Sequence, residues 1–353
     1  MYCPCTDGKI PISNITRWDG SQWLPLGSGV NGKVERIIVD SITNELYVFG
    51  DFTNAGGIPV KGQAKWSEKK QAWSTILPSP EAYISLYTPV ELAVSNGNIY
   101  YCKPTTDKLY NSDSTFFDKQ GLYVFDGAQW KLLDKLFDQD QNYYIIPDEI
   151  RIYGTILYIS GRVGNDSQPF HYNLYLYDLV SKKIIDSIPY STIVAQRDII
   201  IYDNVSVSDG GIFIDEGNGF FWYNNGIRKK IIQNETNDQY PYSLVSSSSE
   251  YSSLWNYVSI FSPETSQRYI TIYDIKGDST YKQTVHLDTR FIQQYVNTTY
   301  ISGHTMFVGG AFYFNENGAD VRNIASYDLR QKKWYDMAGG VCGPVHAFAS
   351  IYH

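Results

Sequence analysis

The sequence predicts an all-β fold, a seven-bladed β-propeller of four-stranded antiparallel blades, and three observations predict it. The first is an aromatic–acidic phrase that recurs from end to end, as in Arg17-Trp18-Asp19-Gly20, Val124-Phe125-Asp126-Gly127 and Ser326-Tyr327-Asp328. Its aromatic anchors are Trp18, Trp66, Phe125, Tyr177, Tyr223, Tyr273 and Tyr327, spaced 46 to 59 residues apart. A period in this range, built from strands, marks a repeat array. The second is composition. With 31 Tyr, 16 Phe and 8 Trp, the chain is rich in strand formers, and no long segment carries helical apolar spacing. The third is the arithmetic of the ends, set out below.

The best-formed repeat runs from Val34 to Ile76. Its four predicted strands are A (34–39), B (45–49), C (63–66) and D (72–76), short β-branched and aromatic runs divided by Gly, Asn and Asp turns. Asp19-Gly20 and Asp126-Gly127 fall between strands C and D, where a tight turn needs positive φ. Trp23, Trp73, Trp130 and Trp334 recur on strand D. The same frame places strand A at 90–94, 148–153, 197–202, 242–246, 292–296 and 345–351. It places strand B at 98–102, 156–160, 211–215, 257–261 and 305–309.

Six A–B–C–D units then run from Val34 to about Ala338. The remainders are 345–352, which reads as a strand A, and 1–26, which holds strands C and D. Together they predict a seventh blade shared by the two ends, with 1–26 and 345–353 closing one domain over 1–353. Such closure removes exposed sheet edges. The competing arrangement is an open stack of β repeats.

Composition excludes several classes. The net charge of −8 carries no basic cluster, against a phosphate-driven nucleic-acid binder. No run of eighteen apolar residues suggests a membrane span. Residues 1–7 lack the basic and apolar regions of a signal peptide. The expected location is therefore cytoplasm or virion, or extracellular if a signal has been removed. Four cysteines are too few for a disulfide framework. The sequons at Asn14, Asn165, Asn204, Asn234 and Asn297 say little in so Asn-, Ser- and Thr-rich a chain.

Gly29-Val30-Asn31-Gly32, Leu46 to Gly57, Asn14 to Trp23, and Met306 to Phe312 with Asn323 to Asp328 resemble the kelch-related propeller repeats of the Rax2-like, cortical cell-polarity marker type. The resemblance covers 14–75 and 300–345; between them the spacing and the aromatic–Asp step survive. It implies a propeller used for binding or as a scaffold, with no shared catalytic motif. The chain has neither the membrane segment nor the length of those polarity markers.

Aligned starts of strand A supply one candidate site. Glu35, Glu91, Glu149 and Asp198 share one position, which Gln293 and His346 occupy in the last two blades. A propeller gathers equivalent positions around one channel mouth. Grouped carboxylates there bind Ca²⁺ or attract a basic ligand, unless Arg36, Arg151 and Arg197 neutralise them as a solvated rim. The long B–C loops 51–61, 103–120 and 311–322 open at the same end. Tyr110, Phe116, Phe117, Phe312, Tyr313 and Phe314 on them are candidate partner-binding aromatics, or rings that fold back to plug the mouth.

Cys3-Pro4-Cys5 lacks the second pair a zinc site needs. None of the five histidines sits in a hydrolase or zinc-protease motif, and no phosphate loop occurs. No catalytic residue, metal or cofactor other than possible Ca²⁺ is expected. The reading is a non-enzymatic platform for protein partners, in a larger assembly such as a viral particle or a surface assembly. The alternative is a carbohydrate-binding or carbohydrate-active propeller using the acidic mouth, where a glycosidase or lyase needs two facing carboxylates.

Overall fold

The computed structural model describes residues 13–76, 92–103, 121–136, 144–165, 168–190, 205–208, 211–215, 219–224, 227–233, 242–247, 251–256, 268–276, 279–287, 295–316 and 319–350. Every regular element among them is a β-strand. Asn-, Asp- and Gly-rich turns repeatedly reverse the chain after short β-branched and aromatic runs, so each repeat folds as a meander.

Strands β1 (Thr16–Trp18) and β2 (Trp23–Pro25) form a two-stranded hairpin. Next come β3 (Lys33–Asp40) and β4 (Glu45–Asp51), the small hairpin β5 (Asn54–Ala55) with β6 (Ile58–Pro59), then β7 (Gln63–Ser67) and β8 (Ala72–Ser74). Strands β3, β4, β7 and β8 make one antiparallel sheet in that order. The last sheet has the same order: β25 (Tyr295–Ser302), β26 (Thr305–Glu316), β27 (Ala319–Asp328) and β28 (Lys333–Tyr335). Two further sheets repeat it: β9 (Leu92–Ser95) to β12 (Trp130–Asp134), through β10 (Asn98–Lys103) and β11 (Gly121–Phe125); and β13 (Tyr144–Tyr153) to β16 (Lys183–Tyr190), through β14 (Ile156–Asn165) and β15 (Gln168–Asp178).

Side chains are described in these four four-stranded sheets. Two more are described by backbone, β17 (Val205–Ser208) to β20 (Ile227–Gln233) and β21 (Tyr242–Ser247) to β24 (Ser279–Leu287). The expected count of seven four-stranded blades is therefore not met among the described residues. The predicted first strand at 345–351 is also corrected. Residues 345–350 form no strand, and among the described residues the N-terminal sheet consists of β1 and β2. The predicted strands at 197–202 and 257–261 lie outside the described residues. Of the strand predicted at 292–296, residues 292–294 lie outside the described residues, and 295–296 open β25.

The chain divides into two compact units, 1–86 with 245–353, and 87–244. Each holds antiparallel sheets in a propeller arrangement, with the first strands of successive sheets side by side, as β9, β13 and β17 are in the second unit. In the first unit, Leu46, Tyr47, Val48 and Phe49 of β4 are all buried, so both faces of that sheet are covered. The core there joins Ile15 and Leu26 near the N-terminal hairpin to Val48, Ala64, Trp66 and Trp73 of the next sheet. In the second unit, Leu122 and Leu136 share a core with Ile150, Leu157, Ile159 and Tyr177 of the following sheet.

One set of contacts recurs in register. The aromatic on the third strand stands opposite a Trp on the fourth: Trp18 with Trp23, Trp66 with Trp73, Phe125 with Trp130 and Tyr327 with Trp334, their ring centroids 4.9 to 5.4 Å apart. Tilted and edge-on geometry at this range is favourable for aromatic pairs. The Trp73 indole donates to the carbonyl of Leu26 at 2.8 Å, and the Trp23 indole donates to that of Met337 at 2.9 Å. Each bond ties one sheet to the end of the sheet before it.

Candidate functional site

The acidic residue of the recurring phrase has a local task. Asp19 accepts from the backbone N–H of Ser21 and Gln22, both at 2.8 Å. Asp126, Asp178 and Asp328 accept in the same way from the N–H groups two and three residues on. These carboxylates cap the turn between the third and fourth strands. The donors hold Asp19 down to about 2, the N–H of Gln22 contributing most and Ser21 next. The turns need the left-handed conformations the sequence provides, with φ of +102° at Gly20 and +91° at Gly127.

The loop leaving the fourth strand folds back onto the third. The Asn14 amide donates to Val30 O at 2.8 Å, and the Asn323 amide donates to Val341 O at 2.7 Å. Both asparagines have left-handed φ, +59° and +61°, a conformation Asn tolerates better than most residues. A Cβ on Gly29 would lie 2.3 Å from Ser13 O, and one on Gly340 would lie 2.2 Å from Arg322 O. Only glycine permits this approach.

Glu68 joins the N-terminal hairpin to the following sheet. It pairs with Arg17 and accepts from the Trp66 indole at 3.0 Å and the Gln71 amide at 2.9 Å. Burial pushes its pKa up, but the Trp66 and Gln71 hydrogen bonds and the charge of Arg17 outweigh that and hold it below the usual range. The phrase-based reading of the sequence missed this residue, because its role comes from a neighbouring repeat.

Of the six residues expected at the channel mouth, Glu35, Glu149 and His346 fall among the described residues. Glu35 pairs with Lys33, and the charges of both act on the His346 imidazole. Burial comes first in holding the His346 pKa below its usual 6.5, then Lys33, against an opposing pull from Glu35. Lys33 Nζ lies 3.1 Å from Glu35 Oε1, with both side chains exposed. Lys33 is thus the neutralising partner, a residue that alignment of acidic positions passed over. Glu35 sits at a β-bulge between Val34 and Arg36, and similar bulges fall at 147–149 and 296–298. The extra residue is Glu35 in the first case, Asp148 in the second and Asn297 in the third. Glu149 itself is in register, opposite Ser160 on β14 in the second unit. Glu91, Asp198 and Gln293 lie outside the described residues, and no cluster of three metal-ligating side chains occurs among those described.

The loop aromatics sort differently. Tyr110, Phe116 and Phe117 lie outside the described residues. Residues 311–322 are largely the extension of the β26–β27 hairpin rather than an open loop. Phe312 is buried in the core of that sheet, and its N–H donates to Asn323 Oδ1 at 3.1 Å. Tyr313 is half-buried with the Arg322 guanidinium 5.5 Å from its ring centroid. Phe314 lies on β26 opposite Val321. Loop 51–61 is folded too, with Phe52, Ala55 and Val60 buried in the core.

Cys342 is disulfide-bonded, and Cys102 is a buried free thiol. Among the described residues no helix is long and apolar enough to cross a membrane.

No protein-family model matches the chain, and no curated protein does. Similar solved structures include YjhT, at 12% identity over 76% of this chain and 89% of that chain, with a TM-score of 0.40. The WD40 domain of SCAP from fission yeast is 10% identical over 86% and 83%, with a TM-score of 0.35. An ulvan lyase of polysaccharide lyase family PL25 is 9% identical over 89% and 85%, with a TM-score of 0.37. One of these is a lyase and another a WD40 domain, and at these scores no function transfers to this chain.

Proposed function

We propose that the chain is one β-propeller domain that acts as a non-enzymatic binding scaffold for a protein partner. One observation carries the reading: among the described residues, the acidic and aromatic side chains of the recurring phrases are occupied in bracing turns and joining sheets. Asp19, Asp126, Asp178 and Asp328 cap turns, Trp23 and Trp73 tie sheets to their predecessors, and Glu35 is paired with Lys33. What remains is a braced, acidic platform. Rigid scaffolds of this kind bind through surface residues at little ordering cost.

The carbohydrate reading needs an open cleft with stacked aromatics and two facing carboxylates. The described mouth residues favour the scaffold, because Glu35 faces a cation and Phe312 is in the core. Two assays separate the readings: recovery of partners by immobilised protein in calcium and in chelator, and binding to a glycan array. The scaffold reading expects a defined protein partner in both buffers and no glycan signal. A glycan that binds only in calcium overturns it.

A further inference from the structure

The turn that leaves the last sheet is a copy of the turn that leaves the N-terminal hairpin. Gly340-Val341-Cys342-Gly343 follows Trp334 at the spacing with which Gly29-Val30-Asn31-Gly32 follows Trp23. The backbones match as well. Val30 N–H donates to Ser13 O and Val341 N–H donates to Arg322 O, both at 3.0 Å. Gly29 and Gly340 share left-handed φ, +71° and +81°. Cys342 therefore holds the place of Asn31.

Asn31 reaches forward into the next sheet. Its Oδ1 accepts from the N–H groups of Thr53 and Asn54, both at 2.8 Å, and its Nδ2 donates to Thr53 Oγ1 at 2.9 Å. Thr53 stands thirteen residues before the third-strand Trp66, in the run Thr53-Asn54-Ala55-Gly56-Gly57-Ile58-Pro59. The sheet that follows Cys342 is the N-terminal one, because the Trp23 indole bonds to Met337 O as the Trp73 indole bonds to Leu26 O. Its third-strand aromatic is Trp18. Thirteen residues before Trp18 stands Cys5, in the run Cys5-Thr6-Asp7-Gly8-Lys9-Ile10-Pro11. The first glycine and the Ile-Pro step fall at the same places in both runs.

Cysteine counting agrees independently. Cys342 is disulfide-bonded and Cys102 is a buried free thiol, so among the four cysteines of one chain its partner is Cys3 or Cys5. The repeat alignment selects Cys5.

We infer that a Cys5–Cys342 disulfide takes the place of the Asn31–Thr53 contact and clasps the two ends of the chain covalently, leaving Cys3 as a thiol. The clasp is redox-sensitive. A dithiol opens it by passing two hydrogen atoms to the protein sulfurs and leaving as a cyclic disulfide. The noncovalent joint stays: the Trp23–Met337 bond and the apolar cluster of Trp23, Ile324 and Met337. A link between residues so distant in sequence restricts the unfolded chain strongly, so the clasped form is the more stable.

Peptide mapping tests this. Trypsin cuts after Lys9 and Lys333, so Cys3 and Cys5 share peptide 1–9 while Cys342 lies alone in 334–353. With free thiols blocked first, the unreduced digest should show 1–9 joined to 334–353 and the blocking group on Cys3; fragmentation at Pro4 separates the two cysteines. A dithiol should lower the melting temperature of the natural sequence and of Cys3→Ser by several degrees. It should leave Cys342→Ser, already lower, unmoved. A link through Cys3, to the peptide of Cys102 or to a second copy, no link at all, or a melting temperature of the natural sequence that ignores the dithiol would overturn the inference.

Discussion

The indole nitrogen of Trp23 donates to the backbone carbonyl of Met337 across 2.9 Å. A residue near the start of the chain is thereby held by one near its end. The Trp73–Leu26 bond, at 2.8 Å, is the same contact one repeat later. Leu26 and Met337 each lie three residues after the tryptophan of their own fourth strand, so the two bonds are copies of one joint. Removing the donor while keeping an aromatic ring should isolate its worth. Trp23→Phe and Trp73→Phe should each cost about 1 kcal/mol, the net worth of one hydrogen bond, since each carbonyl keeps a turn N–H, that of Gly340 on Met337 O and that of Gly29 on Leu26 O. Urea unfolding measures this. Costs near zero for both would show that water replaces the indole.

Ala338 is an exposed residue with a φ of +52°, and Gly27 holds the equivalent place one repeat on with +57°. An L-residue pays for the left-handed conformation and glycine does not. Ala338→Gly should therefore raise stability by up to about 1 kcal/mol, less the entropy glycine adds to the unfolded chain. The opposite applies at Asn323, whose amide group donates to Val341 O and accepts from the Phe312 N–H. Asn323→Ala should cost about 2 kcal/mol, from strain and two lost hydrogen bonds. Thermal melts of the two variants should move in opposite directions.

Acid should weaken the fold in a defined window. Asp19 and Glu68 both have lowered folded-state pKa values. Their contribution is complete above the unfolded carboxylate range near 4 and is lost as pH falls through the folded values, about 2 for Asp19. Melting temperature should decline between about pH 4.5 and pH 2. Asp19→Asn and Glu68→Gln should each flatten that decline. A pH profile identical to that of the natural sequence would remove these groups from the account.

Thiol counting under denaturing conditions tests the cysteine assignment. The chain has four cysteines, Cys342 is disulfide-bonded and Cys102 is free. Reduction should expose two additional thiols. An equal count before and after reduction would contradict the disulfide.

Much of the fold was legible because its signals are local. The third-strand aromatic and fourth-strand Trp are visible as residue types at fixed spacing, and their register pairs Trp18 with Trp23 and Trp66 with Trp73. The turn glycines were legible for the same reason. The role of Asp was half legible: the step stands out in the sequence, while the backbone N–H groups its carboxylate accepts from show only in the folded turn. The C-terminal segment was misread as a strand, because Val345 to Tyr352 has strand-like composition while its hydrogen bonds depend on Asn297 and Gly310, distant in sequence. The mouth was the least legible part. Aligning acidic residues could not show that Lys33, two positions before Glu35, bonds to it. Nor could it show the bulges, whose extra residues are Asp148 and Asn297 rather than the aligned Glu149 and Gln293.

The central claim is that the chain binds a protein rather than a sugar, without calcium. The most direct measurement is recovery of partners by the immobilised full chain, in calcium and in chelator, identified by mass spectrometry, with Glu149→Gln alongside. The account predicts one defined protein partner in both buffers, retained by Glu149→Gln. Recovery of glycan alone, only in calcium and lost in Glu149→Gln, would contradict it and return the function to the acidic mouth.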